Sequence, residues 1–139
     1  MRRVTKAKTK AAKSKAPAAA LPPAPVYTVA HHFADRPAEL RAVYDAILDA
    51  SSSFGRVKIE PKKTSIHLVY RSAFAGVSVR TDALILTLKS DVGIRSPRIY
   101  RAEQVSAHRW HLEIRLNDPG QVDRELKDWL RRAFELSRA

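Results

Sequence analysis

The sequence predicts an α+β domain, a two-layer sandwich in which an antiparallel sheet of about five to six strands carries an N-terminal and a C-terminal helix on one face. Three observations predict it. Apolar residues recur at helical spacing near both ends of the segment that follows the Lys/Ala/Pro-rich start, and between those ends the period falls to two. The gaps between the alternating runs are short, which favours antiparallel pairing, because a parallel crossover needs about a dozen residues or more.

In chain order, residues 1–25 come first and belong to no element. They mix Lys, Ala and Pro, and their cations are Arg2, Arg3, Lys6, Lys8, Lys10, Lys13 and Lys15, with no acid before Asp35. So little apolar surface cannot offset the entropy of ordering, which predicts a disordered basic tail. Pro17, Pro22, Pro23 and Pro25 stiffen its last third into extended conformations, so it is a spacer as well as a charge carrier. A single folded domain is expected over residues 26–139.

Asp35 is placed to cap the first helix, with Pro37 in its first turn, and Leu40, Val43, Tyr44, Ile47 and Leu48 follow as one buried stripe. Residues 51–53 and Gly55 end it. A strand over 57–59 stops at Pro61. Ile66, Leu68 and Tyr70 then alternate with His67, Val69 and Arg71, and a strand over 74–79 runs into a tight turn at Thr81 and Asp82. Leu84, Leu86 and Leu88 alternate with Ile85, Thr87 and Lys89, and Trp110, Leu112, Ile114 and Leu116 with His111, Glu113 and Arg115. The final helix is signalled by Asp118 as cap, Pro119 at its first position and Gln121 completing a capping box. Val122, Leu126, Trp129, Leu130, Ala133 and Phe134 form its apolar face. The elements together read as helix, antiparallel meander, helix.

Several of these segments, taken in order, carry a resemblance. His32-Phe33, Tyr44-Asp45, the run from Pro61 through Val69 (PKKTSIHLV), Phe74-Ala75-Gly76-Val77, Ser96-Pro97-Arg98, Ala102-Glu103-Gln104-Val105-Ser106, Val122-Asp123, Glu125-Leu126 and Trp129-Leu130-Arg131 resemble the bacterial family catalogued as domain of unknown function 5655. The likeness runs from about residue 28 to the C-terminus. It implies a domain that occurs alone or at the C-terminal end of longer proteins, some of them labelled predicted transport proteins, and it implies no catalytic residue. Family sequences often carry proline in the strand that here reads Val77-Ser78-Val79, so Val79 should let this strand pair more regularly.

Charge and composition narrow the function. The formal net charge is +12, of which the tail holds seven, leaving +5 for residues 31–139. Such a tail suits a polyanion, because its cations displace counterions from phosphate. The absence of cysteine excludes disulfides, Cys-ligated zinc, iron–sulfur clusters and thiol catalysis, and it fits a cytoplasmic location. No apolar run approaches the roughly 18 residues of a membrane span, and no signal peptide is expected.

No catalytic motif is recognisable. Glu60-Pro61-Lys62 has the Glu-x-Lys form of metal-dependent nucleases, but a proline interrupts the element, and the nearest upstream acids, Asp45 and Asp49, lie on a helix. His108 and His111, three apart on a strand, point to opposite faces and cannot share a metal. The four glycines form no phosphate-cradling loop. Neither a cofactor nor a metal is implied.

Two binding readings follow. In the first, RNA or DNA phosphates are contacted without sequence readout by the tail cations together with Arg95, Arg98 and Arg101, which are spaced along the 17-residue connection 90–106. A short extra strand near Arg98 to Arg101 would account for that length structurally. In the second, a protein or small ligand occupies the outer sheet face, where strand parity places His67, Arg71, His111, Glu113 and Arg115 together, and the tail only solubilises.

Overall fold

The computed structural model describes residues 27–138. The expected fold boundary at Val26 and the cations Arg2, Arg3, Lys6, Lys8, Lys10, Lys13 and Lys15 lie outside the described residues. The elements are α1 (Val29–Phe33), α2 (Ala38–Ser52), β1 (Lys58–Pro61), β2 (Ile66–Val69), β3 (Ala73–Val79), β4 (Leu84–Ser90), β5 (Ile99–Ser106), β6 (Arg109–Leu116), a 3₁₀ turn (Pro119–Gln121) and α3 (Arg124–Arg138). The strands form one antiparallel six-stranded sheet in the order β1, β2, β3, β4, β6, β5.

The inner face of the sheet is a grid of aliphatic side chains in register. Leu68, Ala75, Leu88 and Leu112 form one row and Ile66, Val77, Leu86 and Ile114 the next, all buried. Helices α2 and α3 cover this face. α2 contributes Leu40, Val43, Tyr44 and Ile47, and α3 contributes Leu126, Leu130, Ala133 and Phe134. Each fully buried Leu, Ile or Phe adds about 1.5–3 kcal/mol from lost apolar surface. Phe134 sits among Phe54, Tyr70 and Phe74, with ring centroids 5.7, 4.8 and 5.3 Å away.

The helix starts differ from those the sequence suggests. α1 was not expected, since five residues are too few to display a period. Its cap is Thr28, whose hydroxyl accepts the His31 N–H at 3.1 Å, and His32 Nε2 donates to the Lys62 carbonyl at 2.7 Å, fastening α1 to the β1–β2 turn. Asp35 does not cap α2. It occupies the left-handed region at φ 59° in the turn after α1, and Pro37 stands at the cap position with no side-chain bond. Along α2, Leu48 is only partly buried, whereas Ala50 and Ser51 are buried, the Ser51 hydroxyl donating to the Ile47 carbonyl.

The capping box of Asp118 and Gln121 is present, but it closes the 3₁₀ turn, not α3. At Val122 the chain leaves helical geometry (ψ 71°), which lets that side chain enter the core. Asp123 is the effective cap of α3: its carboxylate accepts the Leu126 N–H at 3.1 Å, and its carbonyl accepts the Lys127 N–H. Trp129 is half-buried at the edge of the core rather than inside it.

The sheet is a meander only as far as β4. Residues 91–98 then carry the chain past the next position to the edge, and β6 returns between β4 and β5. Apolarity explains the exchange. β6 has Leu112, Ile114 and Leu116 to bury, whereas β5, with Arg101, Glu103 and Gln104, tolerates an edge. The short extra strand expected near Arg98 to Arg101 is the start of β5, which runs on to Ser106. A register shift at Leu68/Val69 ends β2, so Tyr70 and Arg71 belong to a turn and not to the strand, and Tyr70 swings onto Phe134.

Candidate functional site

On the outer face the three positions of β3 that point away from the helices are Ala73, Gly76 and Ser78, none larger than a serine. The bulge that turns Phe74 inward toward Phe134 is what leaves this column without a large side chain. The result is a groove of about 380 Å³ along β3, lined by Ser65, His67, Ala73, Phe74, Ala75, Gly76, Ser78, Thr87, Leu88, Lys89 and His111.

Gly76 marks its floor. It is the register partner of His67 on one side and Thr87 on the other. A Cβ there would lie 3.8 Å from His67 Cδ2 and 4.0 Å from Thr87 Cβ, ordinary contacts, and φ is not positive. Neither backbone nor neighbours therefore demand glycine. Glycine inside a strand weakens it by roughly 0.5–1 kcal/mol, and it commonly marks a place where something approaches the backbone closely.

One end of the groove is cationic. Lys89 pairs in register with His111, and its ammonium donates to the Ser72 hydroxyl at 3.1 Å. Ser72 is itself fixed from behind: its N–H donates to the Ser137 hydroxyl at 3.1 Å, and that hydroxyl donates to the Ser72 carbonyl at 2.7 Å. The C-terminal end of α3 thus sets the position of the Lys89 ammonium. Burial holds the Lys89 pKa below the ordinary lysine value, and the Arg109 guanidinium pushes the same way. Arg109, two residues from His111 on the same face of β6, has a buried Nη1 with no hydrogen-bond partner among the described residues. Among the described residues neither Lys89 nor Arg109 forms an ion pair.

Of the five outer-face residues expected to cluster, His67 and His111 line the groove and the others do not. Arg71 is exposed in the 70–72 turn. Glu113 lies between Thr87 and Arg101 in register, beside the groove, and Arg115 pairs with Asp82 at 3.2 Å near the far end of β6. Lys89, Thr87, Ser78 and Gly76 were missed as site residues. Their signal was parity: Lys89 falls on the same face as His111 as soon as β4 and β6 are paired.

The three loop arginines do not act together. Arg95 is exposed in the 91–98 connection, and Arg101 is on edge strand β5 opposite Glu113. Arg98 is folded inward. Its Nη1 donates to Asp123 Oδ1 at 2.9 Å, Asp123 Oδ2 at 3.1 Å and Glu125 Oε1 at 3.1 Å, its Nη2 donates to the Gln121 carbonyl at 2.7 Å, and its plane lies over Trp129 at 5.7 Å. A phosphate contact at Arg98 would have to displace these partners.

The remaining motif residues have local roles. Glu60 is flanked by Lys58 and Lys62 at 3.4 and 3.5 Å, and Asp45 pairs with Arg41. His108 sits in the β5–β6 turn, not on a strand as the spacing suggested. Among the described residues no group of three His, Asp or Glu is placed to hold a metal ion, and no helix is long and apolar enough to cross a membrane.

The family model described as Domain of unknown function (DUF5655) matches residues 29–137, from the first turn of α1 to the end of α3. The chain belongs to this family. Neither the curated proteins nor the solved structures provide a match. In this DUF5655 chain the match takes in every strand and helix described above, so the groove is built wholly from the family domain, while the tail cations fall outside it.

Proposed function

We propose that the domain is a binding module whose working surface is the outer face of the sheet, with a small molecule as the occupant of the groove along β3. The observation that carries this reading is Gly76: a strand position with room for a side chain, lacking one, at the floor of a 380 Å³ concavity that no helix among the described residues covers. That volume is within the range of small-ligand sites, and the lining combines an apolar floor with a few polar groups at its margins. The test is a fragment screen by ligand-observed NMR on the full chain. Hits that shift the His67 and His111 ring resonances and disappear in Gly76→Leu support the reading, and hits indifferent to that substitution overturn it.

A second reading, contact with RNA or DNA phosphates, is supported by the seven tail cations that precede the first acid, with Arg95 and Arg101 as exposed additions. Arg98 is left out because its Nη1 and Nη2 are engaged by Asp123, Glu125 and the Gln121 carbonyl. If seven tail cations reach duplex phosphates, the slope of log affinity against log salt approaches about −6, and deleting residues 1–25 leaves about −2 from the two arginines. An affinity that ignores both salt and the tail would eliminate this reading.

A further inference from the structure

The groove has a direction, and its two ends differ in chemistry. At the middle, Gly76 and the small side chains beside it expose backbone and methyl groups. At one end Lys89 stands opposite His111, and Arg109, two residues before His111 on the same face of β6, follows just beyond the lining, so the two cations act on one another across the outer face. Like charges so placed repel, and burial removes part of the water that would screen them.

Carboxylates on this face do not relieve the repulsion. The nearest by register are Glu113, opposite Thr87 and Arg101, and Glu103, opposite His111, and neither forms an ion pair with Lys89 or Arg109 among the described residues. Among the described residues the buried Nη1 of Arg109 finds no acceptor, a state that native proteins seldom leave without a partner. The ammonium of Lys89 has, among the described residues, only the Ser72 hydroxyl. Lys89 thus stands at the end of an apolar trough with a second cation, Arg109, beside it and, among the described residues, no anion paired with either.

We infer that the groove takes a small amphipathic acid, its carboxylate or phosphate held by Lys89 beside His111, close to the Arg109 charge, and its apolar body lying over Gly76. This rests on the reading of the groove as a ligand site and adds the charge and polarity of the ligand. An anion at that end accepts from the Lys89 ammonium and offsets the repulsion between it and the neighbouring Arg109 charge; a neutral or cationic head group does neither.

The test compares four probes sharing one eight-carbon chain, octanoate, octyl phosphate, 1-octanol and octylamine, titrated into the full chain and followed at the His67 and His111 ring protons. The acids are expected to bind about ten- to a hundredfold more tightly than the alcohol, with the amine weakest. Lys89→Met, or Lys89→Gln should the first variant unfold, is expected to erase the preference for acid over alcohol while leaving alcohol binding in place. The octanoate and octyl phosphate arms distinguish a carboxylate from a phosphate ligand. Equal binding of acid and alcohol, or an acid preference that survives loss of Lys89, overturns the anionic inference but leaves the groove as a ligand site. Failure of all four probes to move either imidazole overturns both.

Discussion

On the helix-covered side of β3, Phe74, Ala75 and Val77 are buried against neighbouring rows and the aromatic cluster around Phe134, whereas on the other side Ala73, Gly76 and Ser78 leave a groove. Both sets come from seven consecutive residues of one strand. Volume on the inner side is already complementary to its surroundings, so removing any of it leaves a cavity. Volume on the outer side is missing where it could be accommodated. The inner side thus answers to stability, and the outer side is free to answer to something else.

The largest effect that tests this contrast is a cavity in the covered face. Phe134→Ala should lower the unfolding free energy by about 3–5 kcal/mol in denaturant melts, while Thr87→Ala, one position from buried Leu86 but facing the groove, should stay within about 0.5 kcal/mol. Comparable losses from the two would mean that the outer face is as tightly built as the inner one.

Arg98 provides an intermediate case, because it holds the start of α3 from outside the core. Arg98→Ala leaves Asp123 and Glu125 without their shared cation and uncovers Trp129, and should cost about 1–3 kcal/mol. The pH response adds a check. The Leu126 N–H, and after it the Arg98 guanidinium, hold the Asp123 carboxyl below the ordinary aspartate range, so the unfolded chain binds this proton more readily than the folded one. The stabilisation is therefore complete above the ordinary aspartate pKa and is lost as pH falls through the lowered value. Asp123→Asn should flatten stability against pH below about pH 4. An unchanged acid limb would show that other carboxylates govern it.

The glycines give the smallest and most direct comparison. A Cβ on Gly76 would make only ordinary contacts, so Gly76→Ala should be neutral or stabilising by up to about 1 kcal/mol. A Cβ on Gly55 would stand 2.9 Å from the ring of buried Phe134, which must then shift, so Gly55→Ala should destabilise by about 1–3 kcal/mol. Thermal melts of the two single variants decide it. If Gly76→Ala is the more harmful, glycine at the groove floor serves packing and not a ligand.

Much of the architecture is legible locally. The Leu40-to-Ile47 stripe, the alternation of Leu84, Leu86 and Leu88 and that of Leu112, Ile114 and Leu116 each declare their period, and the buried faces follow. Two kinds of feature are not legible in this way. Caps compete: Asp118 and Asp123 both suit an N-terminus, and only the backbone turn at Val122 separates the 3₁₀ turn from the helix. Partner choice is tertiary: nothing within 99–106 states that this strand goes to the edge, because the outcome depends on its being less apolar than β6.

The candidate site was half visible for the same reason. His67 and His111 follow from parity alone, but the groove between them depends on the bulge at Phe74, which replaces a large outward side chain with a column of small ones. Arg98 misleads because a guanidinium in a connection looks free until its carboxylate partners, 25 and 27 residues later, are placed beside it.

The exchange of β5 and β6 sets the order in which the sheet can be completed during synthesis. When residue 106 has been made, β4 has β3 on one side and nothing on the other, since its second neighbour, Arg109–Leu116, comes later in the chain. A growing chain halted there presents Leu84, Leu86 and Leu88 on an open strand edge with α3 still absent to cover them, and unpaired apolar edges of this kind recruit other chains. Only the last thirty or so residues close both gaps at once, the edge by β6 and the apolar layer by α3. Premature termination anywhere before them therefore yields a sticky fragment instead of a smaller stable domain.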